Sequence, residues 1–199
     1  MTPRIRRTAR RGLAAGHVVI KPLPVAGPSG EQPVKSLIAA SYTAAVTAGE
    51  IITDDPRRPE VRAVLERHLA FCLSETPPEH SFALDVDGLL DPQVTFVSYT
   101  DGGTVLGVAA IKELDAAHAE VKSMHTTAEA RGRGVGRALL RHLLDTARER
   151  GYRRVLLETG TTPGFAAARA LYESAGFVPT GPFAGYPETG DNCFYARSL

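Results

Sequence analysis

Residues 119–136 read A-E-V-K-S-M-H-T-T-A-E-A-R-G-R-G-V-G. The alternation of apolar positions at its start predicts a strand. Arg131, Gly132, Arg133, Gly134 and Gly136 then form a basic, glycine-rich loop, and a helical pattern comes directly after it. A helix that begins there leaves several backbone N–H groups unpaired and carrying partial positive charge. Glycines let an anion approach that backbone closely, and the arginines add formal charge beside it. The stretch therefore reads as strand, anion seat and helix, and the anion that suits it is a phosphate or pyrophosphate.

Two rival phosphate loops fit less well. A P-loop requires G-x-x-x-x-G-K-[ST], and no Lys-Ser or Lys-Thr comes after these glycines. A dinucleotide fingerprint requires G-x-G-x-x-G, whereas the spacing here is G-x-G-x-G, and no acidic residue closing a second strand stands out as a ribose ligand. A basic turn before a surface helix, with no ligand, is the bland alternative.

Downstream, Val135, Leu139, Leu140, Leu143, Leu144 and Ala147 recur at helical spacing, and Gly151 is the expected stop. Val155, Leu156 and Leu157 form a short apolar run that suits a buried strand ending at Glu158-Thr159-Gly160. Pro163 and Gly164 interrupt the chain before a second helix, roughly 165–175, closed by Gly176, and a further strand begins at Phe177. This alternation predicts an α/β fold with a largely covered sheet.

The spacing Arg131-x-x-Gly134-x-Gly136 resembles the pyrophosphate loop of the GCN5-related N-acetyltransferases (GNAT superfamily). Ala168-x-x-Leu171-Tyr172-x-x-x-Gly176-Phe177 resembles that family's second signature, in the right order and at the right separation. The resemblance covers roughly residues 50–199. It implies the GNAT fold, with a mixed central sheet, helices on both faces and a splayed central strand. It also implies acetyl-CoA as co-substrate, its diphosphate held by Arg131, Gly132, Arg133, Gly134, Val135, Gly136 and Arg137. The thioester carbonyl and pantetheine would pair with backbone at Met124, His125 and Thr126, and the Tyr172 phenol would protonate the departing sulfur. One departure stands out: the family often has Asn three residues before the alanine of the second signature, where this chain has Phe165.

Acetyl transfer to an amine needs a proton acceptor for the nucleophile. Glu120 and Glu158 compete for that role, with Glu120 preferred and His125 a further candidate. Strict alternation would put Glu120, Lys122, Met124 and Thr126 on one strand face. Glu158 ends the next strand, at the open end of the sheet where ligands collect. The loop 181–187 carries Phe183 and Tyr186, which in the family's pattern help wall the acceptor pocket, and Lys122 is available for a substrate carboxylate. The expected partner is a small-molecule amine or amino acid. Acetylation of protein N-termini or lysines, and a non-catalytic CoA-binding module, are the competing readings, and a homodimer is compatible with all three.

The 199 residues suit one domain with a substantial core. Hydrophobic content of 43%, charged content of 23% and a net charge of +1 give no drive towards nucleic acid or anionic membrane. No apolar stretch approaches the ~18–20 residues of a spanning helix. Cys72 and Cys193 lack metal-ligand or C-x-x-C spacing, so no metal site is expected, and reduced thiols in a cytoplasmic protein are. Residues 1–49 read as a basic, Pro/Gly-rich extension with a helix at 34–48. His17 and Lys21 break the apolar core that an export signal after Arg10-Arg11 would need. Further along, the pattern predicts a strand at 50–53 and a helix from Pro59 that buries Val61, Val64, Leu65, Leu69 and Cys72. A short helix or loop around 85–90 comes next, then a hairpin turning at Asp101-Gly102-Gly103.

Overall fold

The computed structural model describes residues 49–199, so the readings made for the N-terminal extension lie outside the described residues. Strands β1 (Glu50–Thr53), β2 (Val94–Asp101), β3 (Thr104–Asp115), β4 (His118–Thr126), β5 (Arg154–Gly160), β6 (Val178–Thr180) and β7 (Asn192–Ser198) form one sheet in the order β1-β2-β3-β4-β5-β7-β6. All neighbours are antiparallel except β4 and β5. The single parallel pair results from the intervening helix α3 (Val135–Glu149), because parallel neighbours need a crossover. The hairpin turn at Gly102-Gly103 falls where expected.

Helices cover both faces, each with its own core. On one face α3 buries Val135, Leu139, Leu140, Leu143, Leu144 and Ala147 against Val97, Ala109, Ile111, Ala119 and Val121 of the sheet. On the other, α1 (Pro59–Glu75) buries Val61, Val64 and Leu65 against Phe96, Val105, Val108 and Ala110, joined by Leu89 of the short α2 (Val86–Leu89). Adjacent β3 residues thus serve opposite cores, as the two-residue period of a strand requires. The buried stripe of α1 continues through His68 to Cys72, and Leu69 is only half-buried, which corrects the expectation that Leu69 belongs to it. His68 sits one turn after Val64 and Leu65, so geometry put a polar ring where the apolar pattern pointed to its neighbour.

The ends of α3 and of α4 (Ala166–Ser174) share one device. After α3, Gly151 adopts φ 80°, its N–H donates to the Arg148 carbonyl, and the Tyr152 N–H donates to the Ala147 carbonyl. After α4, Gly176 adopts φ 82°, its N–H donates to Glu173 and the Phe177 N–H donates to Tyr172. Both are Schellman closures, which satisfy carbonyls a helix end leaves unpaired.

Gly107 of β3 lets α3 settle close to the sheet. A Cβ there would lie 2.9 Å from both the His125 carbonyl oxygen and Val135 Cγ1. Because the α3 core is closely packed, Leu143→Ala should leave a cavity costing about 2–5 kcal/mol. Urea unfolding checks this: a lower midpoint at an unchanged slope is expected, whereas a loss under about 1 kcal/mol would mean the site collapses around the deletion.

Candidate active site

The strand pair β4–β5 stays in register only from His118↔Arg154 to Val121↔Leu157. Beyond that rung the strands part, although β4 continues to Thr126 and β5 to Gly160. The cause is visible in β4. Val108 pairs with His125 and Ala110 with Lys122, so Ser123 and Met124 together oppose Ala109. That is a β-bulge, and Ser123 takes the left-handed conformation with φ 51°. The splayed strand is therefore present, and its opening lies next to the extra residue.

The bulge also reverses the facing of the residues after it. Glu120 and Lys122 point to the α1 side. Met124 packs in the α3-side core, and Thr126 Oγ1 lies beside Gly136 at the start of α3. The expectation that all four share a face is thus corrected: strict alternation fails where one residue is inserted. His125 joins the α1 side instead, its ring 5.5 Å from His68.

The loop before α3 has the local geometry of an anion seat. Gly134 caps α3 with φ 85°, no side chain among the described residues caps the helix, and its first turn carries no acid. The first intrahelical bond is Ala138 N–H to the Gly134 carbonyl, which leaves the N–H groups before it available. A Cβ on Gly132 or Gly134 would meet nothing within 4 Å among the described residues, which leaves space over this backbone for a ligand. Arg133 lies 3.6 Å from Asp101 at the hairpin turn, whereas Arg131 and Arg137 make no ion pair among the described residues. The donor set suits a diphosphate.

From this seat the opening leads into a cleft between β4, β5, α1, α4 and the loop 76–83. Tyr172 lines it and is 7% exposed. The second signature now has a physical reading: Gly176 and Phe177 close α4, and the Phe177 ring meets Tyr172 edge-on at 6.0 Å, which fixes the phenol. Burial, reinforced by Glu158 and Cys72, pushes the Tyr172 pKa far up, so the phenol keeps its proton. Phe165 also lines the cleft, lying against Gly160 and meeting Phe71 at 5.0 Å. An aromatic wall thus stands where the family often has an amide.

The two candidate carboxylates are placed very differently. Glu120 is 2% exposed and absent from the cleft wall; its Oε1 accepts from the Tyr186 hydroxyl at 2.8 Å and lies 3.4 Å from Lys122 Nζ. Glu158 lines the cleft, with no hydrogen-bond partner among the described residues. Burial, with Glu120 adding and Lys122 opposing, pushes its pKa up to about 7. Lys122 Nζ donates to the Phe82 carbonyl at 3.0 Å and to the Tyr186 hydroxyl at 2.6 Å. Tyr186 and Phe183 do not line the cleft. They stack behind Phe82, with Phe82–Tyr186 at 5.2 Å and Phe183–Tyr186 at 5.3 Å.

Sequence reasoning missed His68, His80 and Ser123 of the cleft wall, and it weighed His125 as a base. His68 and His125 are both pushed down to about 4, chiefly by burial, so both are neutral at pH 7. Cys72 Sγ lies 3.8 Å from His68 Nδ1, but burial pushes the thiol up to about 11, which excludes a thiolate–imidazolium pair. Ser123 Oγ is buried at the bulge without a hydrogen-bond partner among the described residues. His80 reaches Asp191 at 2.7 Å across 111 residues, a contact no local pattern announces. Cys193 is not a nucleophile either: its thiol is pushed up by burial and donates to the Thr159 carbonyl.

A family model described as the acetyltransferase (GNAT) family matches residues 61–177. The uncharacterized N-acetyltransferase YedL of Escherichia coli (strain K12) is 45% identical over 136 residues, covering 68% of this chain and 86% of that protein. The uncharacterized N-acetyltransferase YsnE of Bacillus subtilis (strain 168) is 40% identical over 146 residues, covering 73% and 97%. A solved GNAT family acetyltransferase from Elizabethkingia anophelis with acetyl-CoA bound aligns with a TM-score of 0.54 over 76% of this chain and 98% of that one; at 16% identity it bears on the fold alone. The family match spans more than half of the sequence and the relatives span most of their own lengths, so the chain belongs to the GNAT acetyltransferases and is an acetyl-CoA-dependent N-acetyltransferase.

Proposed function

We propose that the enzyme acetylates the primary amine of a small molecule by direct transfer, with Glu158 as the base and Tyr172 as the proton donor to sulfur. The observation that carries the assignment is the state of Glu158: in the cleft, unpartnered among the described residues, and with its pKa raised to about 7. A base is most effective when its pKa lies near the working pH, and burial without a counter-ion is how a glutamate reaches that value. Glu120 is a poorer candidate because its carboxylate is engaged by Tyr186 and Lys122 behind the wall.

Acetyl-CoA supplies the activated acetyl group as a thioester. The chain's own groups do the rest. The α3 N-terminus with Arg131 and Arg137 holds the diphosphate. The parted edges of β4 and β5 offer backbone groups to the pantetheine arm. Glu158 takes the amine proton as the new C–N bond forms and the C–S bond breaks, and Tyr172 meets the negative charge that collects on sulfur. Atoms balance as amide plus thiol once solvent returns the proton to Tyr172. A phenol of raised pKa is suited to donating a hydrogen bond and slow to ionise otherwise. An amine panel scored by CoA release tests the small-molecule assignment, and acetylation of peptides alone would contradict it.

Glu158→Gln should lower kcat/KM about 10²–10⁴-fold at pH 7, with a deficit that shrinks as rising pH neutralises more of the amine. Glu120→Gln should give a change nearly independent of pH. The same shift in Glu158 sets the sign of its effect on stability. A carboxyl raised from 4.5 to about 7 binds more protons folded than unfolded between those values. Its favourable contribution is therefore complete below pH 4.5 and lost as pH rises through about 7. Relative to the wild type, the Tm of Glu158→Gln should accordingly be higher at pH 8 than at pH 4. A pH-independent rate loss with no such change in Tm would remove Glu158 from this role.

Tyr172→Phe keeps the ring packed against Phe177 and removes only the hydroxyl. The loss should fall on kcat, about 10²-fold or more, while acetyl-CoA affinity measured by calorimetry stays within a few-fold. An unchanged kcat would show that sulfur leaves without help from this phenol.

A further inference from the structure

The cleft wall contains one formal cation among the described residues, Lys122, and it is already engaged by two hydrogen bonds and an ion pair. An ammonium has three protons to donate. Lys122 Nζ has three acceptors around it: the Phe82 carbonyl at 3.0 Å, the Tyr186 hydroxyl at 2.6 Å and Glu120 Oε1 at 3.4 Å. The side chain is 7% exposed, and Glu120 neutralises its charge. The Tyr186 hydroxyl in turn donates to Glu120, so the trio closes on itself. This leaves the carboxylate-binding role expected of Lys122 to a buried cation whose charge is already compensated.

No other group in the cleft replaces it among the described residues. His68 and His125 are neutral, and His80 Nδ1 is held by Asp191. The remaining uncommitted charged group is Glu158, which draws an ammonium in and repels a carboxylate. Phe71, Phe82 and Phe165 face the cleft from three different elements and offer apolar contact to the body of a ligand.

We infer that the acceptor is a primary amine on an uncharged, largely apolar body, and that amines bearing a carboxylate, α-amino acids included, are rejected. This inference rests on the reading of the cleft as the site of acetyl transfer. The rejection is electrostatic: a carboxylate entering the cleft loses water, finds no uncompensated cation among the described residues and meets Glu158.

The test uses the full chain, acetyl-CoA and three acceptors of nearly equal bulk: 2-phenylethylamine, L-phenylalanine methyl ester and L-phenylalanine. CoA release gives kcat/KM, referred to the concentration of neutral amine at each pH. The amine and the ester should both exceed phenylalanine, by on the order of 10²-fold or more. The ester separates charge from size, since it differs from phenylalanine chiefly in the carboxylate. Glu120→Gln supplies a second arm. It leaves the Lys122 charge uncompensated and should narrow the gap between 2-phenylethylamine and phenylalanine by about tenfold. Phenylalanine turned over as well as 2-phenylethylamine would overturn the inference, as would an ester as poor as phenylalanine. So would the failure of all three acceptors with acetyl-CoA binding intact by calorimetry. Failure of acetyl-CoA itself to bind is a distinct result, and it would take the acetyl-transfer reading down as well.

Discussion

Everything distinctive about this molecule depends on the parting of β4 and β5 after Val121 and Leu157. In a covered sheet, strand edges that lose their neighbour leave backbone donors and acceptors needing other partners. Here the loss occurs between two central strands, where solvent and helices meet at the end of the sheet. The end of β4 feeds the phosphate loop, the end of β5 carries Glu158, and α4, the next helix after β5, carries Tyr172. Three candidate site elements converge because each follows a strand that has just separated. The bulge at Ser123, with φ 51° on a residue that has a side chain, marks where regular pairing is given up. Backbone in a sparsely populated conformation persists only when its surroundings hold it, and such residues cluster at functional sites.

The second organising feature is an unequal division of charge. Two glutamates and one lysine lie in or near the cleft, and the lysine sides with Glu120. Glu120, Lys122 and Tyr186 form a satisfied buried network that ties β4 to the C-terminal loop, and through the Phe82 carbonyl to the loop 76–83. Such a network is rigid because each member would be left unpaired by the loss of another. Glu158, outside it, feels the desolvation with little compensation. The raised pKa of one carboxylate is thus tied to how fully the other is satisfied.

Much of the fold was legible because its signals are local. The apolar stripe of α3, the glycine closures after α3 and α4, the hairpin turn and the strand at 50–53 all appear in the described structure as the spacing predicts. The glycine loop at the start of α3 was legible for the same reason, since a strand, a glycine loop and a helix start are contiguous in sequence. What was not legible depends on insertion or distance. One extra residue at Ser123 turned Met124 and Thr126 away from Lys122, and no composition rule announces a bulge there. His68 entered the α1 core because its helical position faces the sheet, whatever its polarity. The preference for Glu120 rested on its place in the strand. Its engagement by Tyr186, 66 residues away, could be seen only once the chain was folded.

The loop contacts explain why the aromatic residues near the C-terminus matter without lining the cleft. Phe82 is the residue that faces it, and Phe82 is held from behind by Tyr186, which Phe183 and Phe194 support in turn. His80 with Asp191 fastens the same loop at a second point. A wall supported this way presents a fixed apolar surface, because moving Phe82 would break the Lys122 hydrogen bond to its carbonyl as well as the ring packing. Pre-set walls favour selection by shape and charge over adjustment to the ligand. The C-terminal loop therefore shapes the cleft at one remove, by fixing Phe82 in its wall and by engaging Lys122, the one formal cation among the described residues that line it.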